Sequence, residues 1–184
     1  AVVDPEDEYA RLATAVGGAY LHLGADRVRL NPFDLPIHTR PDGTRTAPRD
    51  AVIRRSLFLH TALTVLIGTL TATERALLDR AIAGTYQSVG ITADPRTWTR
   101  PAPTLRTLRD NLPGAAAGQG TAALDLATDL AARLHPFVDG AFHQPFDGPT
   151  TTRPEGHLVV FSLRDLPDEL KPIATLLTLD TIWR

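Results

Sequence analysis

Two short strand-like runs lie within the first 23 residues with one helical pattern between them, and that spacing constrains the fold more than any other feature. Ala1–Val3 is rich in β-branched residues and ends at Asp4-Pro5. Tyr9, Leu12, Ala13 and Val16 then recur at i, i+3, i+4 and i+7, the stripe of a helix packed on a sheet, and Gly17-Gly18 end it. Ala19–Leu23 reads as the next strand, followed by a turn at Gly24–Asp26 and a third extended piece, Arg27–Leu30. Strand, helix and strand at this spacing predict parallel pairing through a right-handed crossover. Pro5 suits the first turn of such a helix, and Glu6, Asp7 and Glu8 there complement the positive end of its dipole. Ligands of open α/β sheets collect beyond the carboxyl ends of the strands, so Asp4 through Glu8 are predicted at such an edge. The G-x-x-x-x-G-K-[ST] loop that would hold phosphates there is missing from the sequence.

Asn31-Pro32-Phe33-Asp34 stops the alternating pattern, and Leu35–Pro48 reads as a surface linker rich in proline, glycine, threonine and charge. A helical tract follows. Asp50 is the expected N-cap of a helix reaching about Leu70, with a wide apolar face that includes Val52, Ile53, Leu57, Leu59, Leu63 and Leu66. Thr71-Ala-Thr-Glu74 is a capping-box sequence opening a second helix to about Ser88. Asp94–Pro103 reads as a connector holding Trp98, Thr104 as the cap of a helix over Leu105–Leu112, and Pro113–Gly120 as a small-residue loop. Ala122–Leu134 is the last amphipathic helix of the tract. Regular structure lapses over His135–Gly156, and His157–Leu163 contains a continuous apolar run of the kind buried on both faces. Asp168 then opens a helix through Ile182, with Pro172 in its first turn. The predicted fold class is therefore α/β, with sheet elements in residues 1–48 and 138–184 and an all-α block over 49–137 inserted between them.

Composition narrows the function classes. A net charge of −2 excludes a global positive field for sequence-independent nucleic-acid binding, so contact with DNA is unsupported by charge. The absence of cysteine removes disulfides, thiolate metal sites and cysteine nucleophiles together. The six histidines show no H-x-x-x-H spacing, and no metal site is expected. Ser56, Ser88 and Ser162 lack a G-x-S-x-G setting. The longest apolar run, Leu57–Leu70, is broken by polar residues and falls short of the ~20 residues that span a bilayer. No methionine is present and the chain starts in mid-strand, which leads to the expectation of an internal piece of a longer protein.

Val-Val-Asp-Pro-Glu-Asp-Glu-Tyr, Leu-Ala-Thr-Ala-Val-Gly-Gly and Leu30-Asn-Pro-Phe-Asp34, taken in order, resemble the segment after the phosphate loop of type IV secretion and conjugative-transfer ATPases. These are the TraC/TrbE-type traffic motors of the HerA–FtsK superfamily. Leu70-Thr-Ala-Thr-Glu74, Leu134-His-Pro-Phe-Val-Asp-Gly140, Phe146-Asp-Gly-Pro-Thr150, Leu158–Leu163 and Leu179-Asp-Thr-Ile-Trp183 are similar to that family in order and spacing. The resemblance implies an incomplete RecA-like P-loop core interrupted by the helical insertion. It also implies a full-length bacterial protein that hydrolyses ATP with Mg²⁺ as a hexamer. That protein would lie in the cytoplasm against the inner face of the cytoplasmic membrane, among other secretion components. In the family the phosphate loop precedes the position of Ala1 and the Walker B acidic pair follows Arg184, so this segment alone is expected to bind no nucleotide and to be inactive.

By the same resemblance, Asp4 and Glu8 stand beside the nucleotide as the catalytic candidates, Glu8 orienting water or a metal-bound water. Asn31, Pro32 and Phe33 are the candidates for contact with the nucleotide base or a subunit interface. Each also has a structural explanation. Acidic residues at a helix start complement the dipole, and Asn31–Phe33 reads equally as a strand-ending turn around a buried phenylalanine. Phe137–Thr150 reads as a connector or a mobile loop, and Arg49, Arg54 and Arg55, unfavourable at a helix start, mark a candidate partner- or phosphate-facing patch. Two other readings compete: a non-catalytic interaction module of the secretion machinery, and a HerA-type DNA-pumping helicase.

Overall fold

The structure is a computed structural model and describes residues 1–184 apart from 26–27, 40–41, 43–44, 152–155 and 184. Strands β1 (Val2–Asp4) and β2 (Ala19–His22) flank β5 (Val159–Ser162), and all three run parallel in the order β1-β5-β2. Helix α1 (Ala10–Ala15) makes the crossover from β1 to β2. A two-stranded antiparallel ladder, β3 (His38–Thr39) with β4 (Arg45–Thr46), lies in the predicted linker. Helices α2 (Ala51–Ile67), α3 (Ala72–Ser88), α4 (Leu105–Ala116) and α5 (Thr121–Val138) intervene before β5, and α6 (Lys171–Trp183) follows it through a short 3₁₀ turn, Asp168–Leu170. The mixed α/β architecture expected from the sequence is the architecture observed. Of the third extended piece, Val28–Leu30 is not a strand, and Arg27 lies outside the described residues.

The apolar run before Ser162 becomes the central strand because every residue of β5 is buried. Asp4 and His22 both stand opposite Ser162 in the register. Parallel neighbours in register point to one face, so Asp4, Ser162 and His22 form a polar row across the carboxyl edge, with Val160 and Tyr20 one step behind. Val3, Phe161 and Leu21 occupy the opposite face and join the main hydrophobic core. Gly18 makes the close pairing of β2 and β5 feasible: a Cβ there would lie 2.8 Å from the Leu158 carbonyl oxygen.

Helix α1 is shorter than its sequence pattern predicts. Pro5, Glu6, Asp7 and Glu8 precede it, and its first turn holds no acidic residue. The reason is local: the Asp4 carboxylate accepts the Glu8 and Tyr9 N–H groups at 3.1 and 2.8 Å and folds the chain into a turn before the helix begins. Of the predicted stripe only Ala13 is buried; Tyr9, Leu12 and Val16 are 41, 47 and 44% exposed, because a sheet three strands wide covers little of the helix. On α2, likewise, Leu59 and Leu63 enter the core while Ile53 and Leu57 face outward.

The capping box forms as its sequence predicts, Glu74 N–H donating to Thr71 Oγ1 and Thr71 N–H to Glu74 Oε2. Arg133 reinforces it from α5, donating to Glu74 Oε1 at 2.7 Å and to the Ile67 carbonyl at the end of α2. Helices α4 and α5 run further than expected, with Pro113 and Pro136 inside them. Tertiary packing overrides the prolines: Leu112, Ala116, Leu134 and Val138 are all fully buried. The Trp98 connector forms a 3₁₀ helix, Pro95–Thr99, whose indole donates to the Thr92 carbonyl.

One hydrophobic core joins the strands to the helices. Polar contacts bridge the same seam. Arg55 of α2 makes a bidentate pair with Asp180 of α6, at 2.9 and 3.1 Å, and is itself 3% exposed. The Tyr86 hydroxyl of α3 donates to the Phe33 carbonyl at 2.8 Å.

Candidate functional site

The carboxyl edge of the parallel sheet gathers a cluster of ionisable and hydroxyl side chains. β1 delivers Asp4, and the loop after it delivers Asp7 and Glu8; β2 delivers Tyr20 and His22; β5 delivers Ser162, followed by Arg164 and Asp165. The loop from Asp4 to Tyr9 lies on the polar face because Asp4 holds its amides. Asp4 is 2% exposed, and each of its carboxylate oxygens accepts a backbone N–H.

Asp7 adopts a left-handed backbone with φ of 65°, and the Tyr20 hydroxyl donates to its Oδ1 at 2.5 Å. That hydrogen bond, the largest cause, holds the Asp7 carboxyl below its ordinary range; burial opposes the shift, and Ser162, Arg164 and His22 add to it. Tyr20 is pushed up, chiefly by burial and then by the same bond. The Ser162 hydroxyl sits beside this pair but outside strict hydrogen-bond geometry, fully buried and without a partner among the described residues. His22 Nε2 lies 2.9 Å from Asp165 Oδ2, within ion-pair distance though off the alignment of a hydrogen bond.

Glu8 is exposed, and its carboxylate makes no hydrogen bond or ion pair with the described residues. Of the two acidic candidates, Asp4 thus organises the loop and Glu8 is the carboxylate turned to solvent. Asn31, Pro32 and Phe33 lie elsewhere, at the seam with the helices. Asn31 Nδ2 donates to the Pro103 carbonyl and its Oδ1 accepts the Phe33 N–H, while Phe33 is fully buried. The Pro32 carbonyl accepts from Arg55. These three residues lie in a turn that no strand precedes directly, and none of these bonds links them to Asp4 or Glu8.

Arg55 also leaves the candidate basic patch, being buried against Asp180, while Arg54 pairs with Asp50 at 2.7 Å. The Phe137–Thr150 segment is tied to the seam by Leu30 N–H to the Pro145 carbonyl and Asn31 N–H to Thr150 Oγ1. A cleft of about 240 Å³ between α2 and α6, lined in part by Pro36, Pro48, Phe58 and Trp183, has its two arginines already ion-paired. Among the described residues no group of three or more histidines and carboxylates is placed to hold a metal ion. Of the carboxylates in this loop, Glu6 and Glu8 are exposed and make no hydrogen bond or ion pair with the described residues, whereas both Asp4 oxygens accept backbone N–H groups.

Sequence reading missed Tyr20, His22 and Asp7 as partners of one site. The available signal was the two-residue spacing of Tyr20 and His22 in a strand, which puts both on the face of Asp4 once the strands are parallel.

No protein-family model and no curated protein matches the chain. Among solved structures the chain is similar to VirB4 of Thermoanaerobacter pseudethanolicus, with a TM-score of 0.81 and 21% sequence identity over 99% of this chain. The chain spans about half of that structure, 47% of its length. The likeness shows a shared fold over nearly the whole of this chain.

Proposed function

We propose that this chain is part of an ATP-hydrolysing motor of the VirB4/TraC type that energises type IV secretion or conjugative transfer. The observation that carries the reading is the fold shared with VirB4 across 99% of the chain. The ordered motifs running from Val-Val-Asp-Pro through Leu-Asp-Thr-Ile-Trp support it independently. In this reading the three parallel strands belong to a RecA-like core, and the block 49–137 is its helical insertion. Backbone amides around the phosphates and the Mg²⁺-holding carboxylates come from the rest of a longer protein, which works as a hexamer beside the cytoplasmic membrane with other secretion components. Among the described residues, no helix is long and apolar enough to cross a membrane.

Glu8 is the residue proposed to act on water at this site. Asp4, with both oxygens given to amides, holds the loop that carries it. The test is steady-state turnover of MgATP by the full-length protein. Glu8→Gln is expected to lower kcat about a hundredfold, the scale of a lost general base. Residues 1–184 alone are expected to show no turnover, and hydrolysis by this segment that is lost in Asp4→Ala would refute the assignment.

A second reading, an interaction module, draws on the outward apolar residues Ile53 and Leu57 of α2, 67 and 66% exposed. Loss of secretion in an Ile53→Glu/Leu57→Glu variant that keeps full ATPase activity would favour it.

A further inference from the structure

The acidic loop after β1 is pinned on both sides of Glu8. After it, the Glu8 and Tyr9 amides are held by Asp4 at 3.1 and 2.8 Å. Before it, Asp7 is held by Tyr20 at 2.5 Å. Asp7 is the one non-glycine residue with positive φ among those described, and its left-handed backbone reverses the chain just ahead of Glu8. Aspartate tolerates this conformation better than most residues, but such outliers persist where the surroundings over-determine them. Here the Tyr20 hydroxyl, presented from the neighbouring part of the sheet face, is the determinant: it reaches across 13 residues of sequence to the Asp7 carboxylate. Beside the pair the buried Ser162 hydroxyl makes no hydrogen bond of strict geometry, so among the described residues the side-chain hydrogen bond to the Asp7 carboxylate comes from Tyr20.

The geometry points to Tyr20 as a positioning residue: through Asp7 it sets the left-handed turn that presents Glu8, the one carboxylate of Asp4, Asp7 and Glu8 with no bond in the loop, at the carboxyl edge of the sheet. Tyr20 touches no reacting group; it acts through Asp7 and the backbone. This role rests on the reading of Glu8 given above and adds to it a second residue, from a different strand, on which the site depends. Asp7 is placed in the site as the recipient of that bond and not as a base, because its carboxylate already accepts a short hydrogen bond.

Two measurements test the proposal. Amide hydrogen exchange on this chain reads the loop without reference to activity. Tyr20→Phe and Asp7→Ala are expected to speed exchange at the Glu8 and Tyr9 amides about tenfold while leaving the α3 amides unchanged. Asp7→Asn keeps both an acceptor oxygen and the tolerance for positive φ, and it is expected to stay within about twofold of the parent. Unchanged exchange in Tyr20→Phe overturns the clamp. Turnover of MgATP by the full-length protein reads the consequence: Tyr20→Phe is expected to lower kcat about tenfold with KM within about twofold, and Asp7→Asn to retain most of kcat. A loosened loop with undiminished kcat overturns the positioning role. Full turnover by Glu8→Gln overturns the underlying assignment instead, and does so without touching the exchange result.

Discussion

At the scale of single residues the heaviest electrostatic commitment is the Arg55–Asp180 pair. Arg55 is 3% and Asp180 14% exposed by side chain, and the Arg55 guanidinium also lies 4.5 Å from the Phe58 ring centroid. Removing one partner strands a charge in a place water reaches poorly, whereas removing both does not. Asp180→Ala is therefore expected to cost about 3 kcal/mol in urea unfolding, and Arg55→Met/Asp180→Leu to recover most of that loss. Glu74 sets the pH dependence. Thr71, through its hydroxyl and then its backbone N–H, holds the carboxyl below its ordinary value, with burial opposing and the Arg133 charge assisting. A depressed folded-state value means the stabilisation is complete above the unfolded carboxylate pKa, near pH ~4.3, and is lost as pH falls through the lower folded value. Thermal stability should accordingly decline below about pH 4, and Glu74→Gln should flatten that part of the profile.

At the scale of elements, two short sequence features decide whether α3 and β2 sit where they do. Thr71 closes the capping box of α3, and Thr71→Ala is expected to cost about 1 kcal/mol, measured by chemical denaturation. Gly18 precedes β2 and has the Leu158 carbonyl where a side chain would go, 2.8 Å from its would-be Cβ. Backbone cannot yield as a flexible side chain can, so Gly18→Ala should loosen the β2–β5 ladder and cost about 2 kcal/mol. Gly17 meets nothing within 4 Å, and its substitution carries only the cost of a left-handed backbone, with φ of 65°. The ratio of the two losses separates close approach from conformational freedom.

At the scale of the molecule, the helices between β2 and β5 share one core with the sheet. Phe161, Phe33 and Leu59 belong to the same buried cluster as Leu108 and Leu130. Shared burial couples the parts, so the chain should unfold in one transition. With Trp183→Phe to silence the exposed indole, fluorescence of the buried Trp98 and far-UV circular dichroism should report the same urea midpoint. Separate midpoints would show that the helical block holds itself together without the sheet.

Local patterns carried the elements that depend on neighbours in sequence. The strand–helix–strand opening, the Thr71 box and the apolar run at Val159–Phe161 could be read directly, since period, caps and β-branched content act within a few residues. The boundaries of α1, α4 and α5 could not. Asp4 takes amides that the helix pattern assigned to a helical first turn, and packing of Leu112 and Leu134 carries two helices past their prolines. The acidic edge was legible because a strand followed by Asp4-Pro5 ends where ligands of α/β sheets collect. The division of labour within it was not. Which carboxylate is spent on backbone amides, which is clamped by Tyr20 and which stays free depends on strands brought together from opposite ends of the chain. Only their parallel register, decided by burial of β5 between β1 and β2, puts Tyr20, His22 and Ser162 on the face of Asp4.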